Sequence, residues 1–263
     1  MPLIAIAALP RHHREPPETK VETLPAAELF RRATENTEAD TDYEADASST
    51  TAGAQYTSHW IVRGPSVLVV GTFNGTEVVN RFEDGRFYSK SQETWQESVL
   101  PAGRDYDLLE SVMKVWPALR AGTIEELQRD SEVATYRGTC SPGSVAGRMQ
   151  WLCDRGSLIT IVVDVDTERI KSLNATGLIS RWPGRWEPGE LAVSFGPPTD
   201  TEIAPLDNVD TSKLECLARS LGLPLDRSAL AERLRDTTTV ENGRLFGGCG
   251  YQRFPPGSDF GVV

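Results

Sequence analysis

The sequence predicts an α+β fold, a single antiparallel sheet carrying helices on one face. Three observations point to it. Two Asx-Gly pairs, Asn74-Gly75 and Asp84-Gly85, separate β-rich runs, as two-residue hairpin turns do. The order of elements is a helix, a meander, more helices and then more strands. Much of the apolar content is concentrated in a few strands, which suits one sheet better than two independent domains.

The elements follow in chain order. Ala26–Asn36 places Ala26, Leu29, Phe30 and Ala33 at helical spacing behind Pro25, so it reads as an amphipathic helix. Tyr43–Thr51 reads as a strand. Gln55–Arg63 is aromatic and β-branched, and Gly64-Pro65 breaks it. Ser66–Phe73, Thr76–Phe82 and Arg86–Lys90 complete the meander across the two Asx-Gly turns. Tyr106–Arg120 and Ile124–Arg129 read as helical, with breaks near Pro117 and Gly122. Val133–Gly138 returns to strand, and Ser144–Cys153 is a short helix with Val145, Met149 and Leu152 on one side. Leu158–Asp166 is almost wholly apolar and reads as a central strand. Ile170–Leu178 and Leu191–Phe195 continue the sheet, and Gly196-Pro197-Pro198 ends it. Two helices, Ser212–Leu221 and Arg227–Arg235, precede a Gly/Pro-rich end. The expected organisation is a tail over 1–20, a sheet domain over 21–206 and a helical extension over 207–263 packed on that domain.

Composition excludes some classes. The 263 residues are 39% apolar and 25% charged, with 38 acidic and 27 basic side chains. The length permits a real core. A net charge of −11 is the wrong sign for a nucleic-acid partner. No apolar run approaches the roughly 18 residues of a transmembrane span. The acidity is local: ten acids against three bases in residues 15–50 account for −7 of it. It reads as a solvated entry segment and an exposed first helix, with a face for a basic partner as the alternative.

Met1–Pro10 (MPLIAIAALP) is short for a signal h-region and has no basic residue before it. It reads either as the remnant of a signal or anchor or as an unremarkable end. Cys140, Cys153, Cys216 and Cys249 form no C-x-x-C pair, which argues against zinc-ribbon and thioredoxin-like sites. An even count suggests two disulfides in an exported chain. The local pairing Cys140–Cys153 and Cys216–Cys249 closes the shortest loops. Four buried thiols in a cytosolic protein are the alternative.

The sequence holds no catalytic constellation that stands above its bland explanation. There is no G-x-S-x-G elbow and no phosphate-binding glycine loop. His59 alternates with Trp60 in a strand and reads as a surface or packed histidine. Asp164, Asp166 and Glu168 follow a strand, and the D-x-D spacing would put both aspartates on one sheet face. A calcium loop needs a further Asp or Asn and a glycine, so a turn capped by Asp and Thr explains these residues more simply. Asn74-Gly75-Thr76 and Asn174-Ala175-Thr176 match the glycosylation sequon, a pattern frequent by chance. What remains is an apolar supply on strands, including Tyr56, Phe82 and Phe195. Trp60, Val62, Val67, Val69, Phe73, Val79, Ile161 and Val163 are the candidate ligand-binding residues. Covered tightly by helices they form a core; with the helices standing off they line a pocket for an apolar ligand.

Three segments resemble the LolA/LppX-like envelope carrier family, in particular its actinobacterial lipoproteins. AAELFRRATENTEADTDYEADAS resembles the family's opening helix and strand. GTFNGTEVVNRFEDGRFYSKSQETW resembles its hairpin series. ATYRGTCSPGSVAGRMQWL followed by ITIVVDVDTERIKSLNATG resembles its Y-x-G strand, short helix and long strand. The match covers roughly residues 26–200. It implies a twisted half-barrel whose concave face, covered by helices, holds lipid or acyl chains, in an extracytoplasmic, non-enzymatic protein without a cofactor. Two departures stand out: the first cysteine is Cys140, where the family's lipoproteins carry a lipobox cysteine, and the section after about residue 207 has no counterpart. Three functions follow as expectations. They are an exported carrier or sensor of a hydrophobic ligand, an envelope module with a filled core that binds a protein partner, and, behind these, a hydrolase using Asp164 and Asp166.

Overall fold

A computed structural model describes residues 24–51, 54–84, 86–99, 112–145, 149–153, 157–182, 185–235 and 248–249. Helix α1 (Ala26–Ala39) leads into a meander: β1 (Asp42–Thr51), β2 (Ala54–Arg63), β3 (Ser66–Phe73), β4 (Thr76–Glu83), β5 (Arg86–Ser91) and β6 (Thr94–Ser98). Helix α2 (Val115–Arg120) precedes the hairpin of β7 (Thr123–Arg129) and β8 (Val133–Thr139). Helix α3 (Gln150–Cys153) precedes β9 (Leu158–Asp164), β10 (Arg169–Trp182) and β11 (Arg185–Gly196). A short β12 (Val209–Asp210), α4 (Ser212–Leu221) and α5 (Arg227–Arg235) follow.

Among the described residues twelve strands form one open, twisted sheet in the order β12-β6-β5-β4-β3-β2-β1-β11-β10-β9-β8-β7. Two meanders, β1–β6 and β7–β11, are joined where β1 pairs antiparallel with β11. Among the described strands only β12 runs parallel to its neighbour, β6. The first predicted turn has its physical cause in view: Asn74 and Gly75 have φ of 47° and 80°, the left-handed pair a two-residue hairpin needs. Asp84 has φ of 50°, while Gly85 lies outside the described residues.

Four sequence expectations are corrected. Ile124–Arg129 is not helical; it is most of β7. Its Glu, Leu and Gln favour helix locally, but pairing with β8 sets the backbone. Strand β6 and the full length of the β10–β11 hairpin were not foreseen, because their polar residues break the period-two pattern. The strand expected to reach Asp166 stops at Asp164, and residues 165–168 turn into β10. Within the segment expected to be helical from Ser144, helix covers Gln150–Cys153, and 146–148 lie outside the described residues. The helix expected at 106–120 is present over its described part: residues 112–113 are helical, Lys114 is a turn and α2 follows, while 106–111 lie outside the described residues.

One face of the sheet carries the main core. Period-two alternation puts Ile159, Ile161 and Val163 of β9 at full burial, beside Leu173 of β10 and Tyr136 of β8. Helix α1 packs Leu29, Phe30 and Ala33 into this core, with the Phe30 ring 5.5 Å from that of Tyr136. Thr37 pins the helix to the sheet. Its hydroxyl donates to the Ala33 carbonyl at 2.8 Å and accepts the Ile170 N–H at 2.9 Å. The disulfide Cys140–Cys153 ties the end of β8 to α3.

The opposite face is covered at its β2–β6 end. Ile61, Leu68, Arg81, Tyr88 and Glu97 lie in one cross-strand row there. Arg81 donates to the Ala204 carbonyl, and Glu97 is paired with Arg227 of α5. Val99 joins Leu214, Leu217, Leu230 and Leu234 of α4 and α5 in a second apolar cluster with Cys249, which is bonded to Cys216. The local acidity is largely paired in place: Glu28 and Glu35 with Arg31, Glu38 with Arg120, Asp40 with Arg169 and Glu44 with Arg63.

Candidate functional site

Among the described residues the apolar face does not end where the helices do. Tyr43 and Ala45 of β1 lie opposite Val62 and Trp60 of β2, and these lie opposite Val67 and Val69 of β3. The row from Val62 and Val67 continues through Phe82 and Phe87. On the other side of β1, Phe195 and Val193 carry the same face toward Leu173 and Ile161. The contacts of α1, α2 and α3, however, lie at one end, α1 on β9 and β10, α2 on β7 and α3 on β10, while α4 meets β6 at the other.

This asymmetry sorts the candidate residues. Trp60, Val62, Val69, Ile161 and Val163 are buried in the main core, at 6% exposure or less. The Trp60 indole N–H donates to Ser58 Oγ at 2.5 Å, so its polar edge is satisfied inside. Val67 and Phe73 are only partly buried against the same core, as are Phe82, Phe195 and Met113. Val79 stands apart: it lies opposite Val70 and so, with His59, on the other face. Valine at successive positions 78 and 79 satisfies either face, and the turn at Asn74-Gly75 decides that Val78 faces the core side. The candidate set also omitted several residues. Trp116, Phe195 and Tyr43 form an aromatic group, with ring centroids 6.4 Å and 6.1 Å apart along the chain of contacts. The Phe82 and Phe87 rings meet at a tilt of 46° with centroids 5.1 Å apart. The alternation Leu191-x-Val193-x-Phe195 signals part of this in the sequence; nothing local signals Trp116 or Phe87.

The opposite face carries two shallow grooves of about 480 and 310 Å³. They share Ser48, Asn174 and Ala192, and short hydroxyl side chains line part of both. At one end His59 Nδ1 sits 2.9 Å from Asp46 Oδ1, and its Nε2 sits 3.4 Å from Glu44 Oε2. The Glu44 carboxyl is held down to about 2, chiefly by the Thr199 hydroxyl and also by the Arg63 guanidinium. Each His59 nitrogen thus faces a different carboxylate, so the three groups do not converge on one point. Among the described residues no cluster of three or more His, Cys, Asp or Glu side chains is arranged to hold a metal.

Asp164 and Asp166 do not form a carboxylate pair on the sheet. Asp164 accepts from the Thr167 N–H at 2.9 Å and from its hydroxyl at 2.8 Å, and these bonds lower its pKa. It is a turn cap. Asp166 is exposed in the turn that follows. Of the two sequons, Asn74 accepts the Gln55 N–H at 2.9 Å, and Asn174 lines the shared groove. Among the described residues no helix is long and apolar enough to cross a membrane.

No protein-family model and no curated protein matches the chain. Among the solved structures that overlap it are two of low identity. One is a LolA superfamily protein from Nitrosomonas europaea, 9% identical, covering 68% of this chain and 96% of that one with a TM-score of 0.27. The other is an uncharacterized conserved protein from Thermus thermophilus, 11% identical, covering 71% and 98% with a TM-score of 0.36. At these TM-scores neither overlap carries an argument about function.

Proposed function

We propose that the protein is a non-enzymatic carrier or sensor that holds an apolar ligand, a lipid or acyl chain, against the apolar face of its sheet. The observation that supports this is the continuation of that face over β2–β5, beyond the principal contacts of α1, α2 and α3. Val67, Phe73 and Phe82 are left half-buried there, beside fully buried Trp60 and Val69. Ligand sites are concave and mostly apolar, with few polar groups. On this reading the sheet is a LolA-like half-barrel with α1, α2 and α3 over the concave face. Residues 21–206 form its body and 207–263 a helical extension packed on it. The two disulfides support an extracytoplasmic setting.

The test is lipid extraction and mass spectrometry of the purified protein. About one lipid per chain is the expected result. A protein that emerges without lipid, and that fails to bind added fatty acid, sinks the proposal.

A second reading is an interaction module with a filled core. The near-complete burial of Trp60, Val62, Ile161 and Val163 favours it. It predicts no bound lipid, and a protein partner that competes for the half-buried surface of Phe73 and Phe82.

A further inference from the structure

We propose that the apolar track ends in a subsite for an acyl carbonyl head, centred on Ser98, so that the ligand is a single-chain amphiphile. This rests on the apolar-ligand reading above. The row Val62, Val67, Phe82, Phe87 is apolar across four strands and ends at Ser98 of β6. Ser98 is 5% exposed, and its Oγ has no hydrogen-bond partner. A buried hydroxyl without a partner is a standing cost to the fold, and it disappears when an acceptor arrives.

The adjacent row changes character in the same place. It runs from Trp60 and Val69 to Asn80, Ser89 and Gln96, the last three half-buried. Lys213 Nζ donates to Gln96 Oε1. That bond orients the Gln96 amide and leaves its nitrogen, a donor, as the end available to a ligand. The end of the track therefore offers a hydroxyl and an amide N–H beside an ammonium. Such a set recognises an acceptor oxygen, the carbonyl of a fatty acid or its ester.

The length also fits. From β2 to β6 are four strand spacings, about 19 Å. A lipid chain spans half of a hydrocarbon core of about 30 Å, roughly 15 Å.

Dibromostearic acid, its methyl ester and dibromooctadecane share a chain length and quench tryptophan fluorescence on contact, so they separate chain from head. All three are expected to quench the native protein. The acid and ester should bind about tenfold tighter than the alkane, the scale of one satisfied hydrogen bond. A further preference for acid over ester identifies a carboxylate head; equal binding identifies the carbonyl alone. Ser98→Ala should narrow the gap between the alkane and the two oxygenated chains. It removes an unsatisfied group, so it should leave the melting temperature unchanged or raised. Equal binding of acid, ester and alkane by the native protein overturns the subsite, as does an unchanged preference in Ser98→Ala. Quenching by none of the three overturns the apolar-ligand reading itself.

Discussion

Glu44 carries a prediction whose size can be worked from its contacts. Its Oε1 accepts the Thr199 N–H at 3.2 Å, the Thr199 hydroxyl at 2.5 Å and Arg63 Nη2 at 2.8 Å. Arg63 also donates to the Thr199 and Thr201 carbonyls, at 3.0 and 3.2 Å. One carboxylate thus anchors the segment that leaves β11 and crosses toward β12. A fall of the carboxyl from 4.5 to about 2 corresponds to about 3.4 kcal/mol in favour of the charged form. The side chain keeps 12% of its surface in solvent, and screening trims the contribution to about 2–3 kcal/mol. Because the folded state lowers this pKa, the contribution is fully present above pH 4.5 and disappears as pH falls toward 2.

Glu44→Gln should therefore lose about 2–3 kcal/mol at pH 7, seen as a drop of roughly 4–12 °C in melting temperature. The gap between variant and parent should shrink progressively below pH 4.5. Urea denaturation of both proteins at neutral pH and near pH 3 measures it. Other acid-sensitive groups are common to both, so the difference isolates Glu44. A gap under about 0.5 kcal/mol at pH 7, within the range of an ordinary surface change, would refute the reasoning. So would a gap that does not depend on pH.

Two further outcomes follow from particular contacts. Replacing Cys140 and Cys153 together by alanine opens a loop whose ends are 13 residues apart and should cost about 3 kcal/mol in urea stability. The same change at Cys216 and Cys249, 33 residues apart, should cost about 4 kcal/mol, a ranking that follows from loop-closure entropy. Gly177→Ala puts a methyl 2.2 Å from Ser157 Oγ and 2.9 Å from the Trp151 ring. Overpacking of that kind costs about 1–3 kcal/mol, and adding Ser157→Gly should recover part of it; an unchanged urea midpoint in the single variant counts against the contact.

The β1–β5 meander was legible because its cause is local. Asn74-Gly75 supplies two left-handed residues, and that turn sets the register of β3 against β4. Helices α4 and α5 were legible for a similar reason, since apolar spacing and the glycine that stops α4 at Gly222 lie within the segment itself. The disulfide pairing was legible from loop length. In the candidate site, Trp60, Val62, Val67, Val69, Phe73, Ile161 and Val163 share the face that period-two alternation predicts for them. Val79 does not, because two adjacent valines give no local reason to choose between faces. Ser98 carried no signal at all. A serine at the end of a polar strand becomes notable only when Phe87 is set opposite it and water is excluded.

By itself the sequence determined the class of fold, the meander, the helices at the end and the supply of apolar side chains. Those depend on turn chemistry and periodicity within a few residues. Tertiary structure alone decided that β1 pairs with β11 across more than a hundred residues and that Ile124–Arg129 is a strand. Such pairings pay a loop-closure entropy that no local pattern records, and they form because they bury surface on both partners at once.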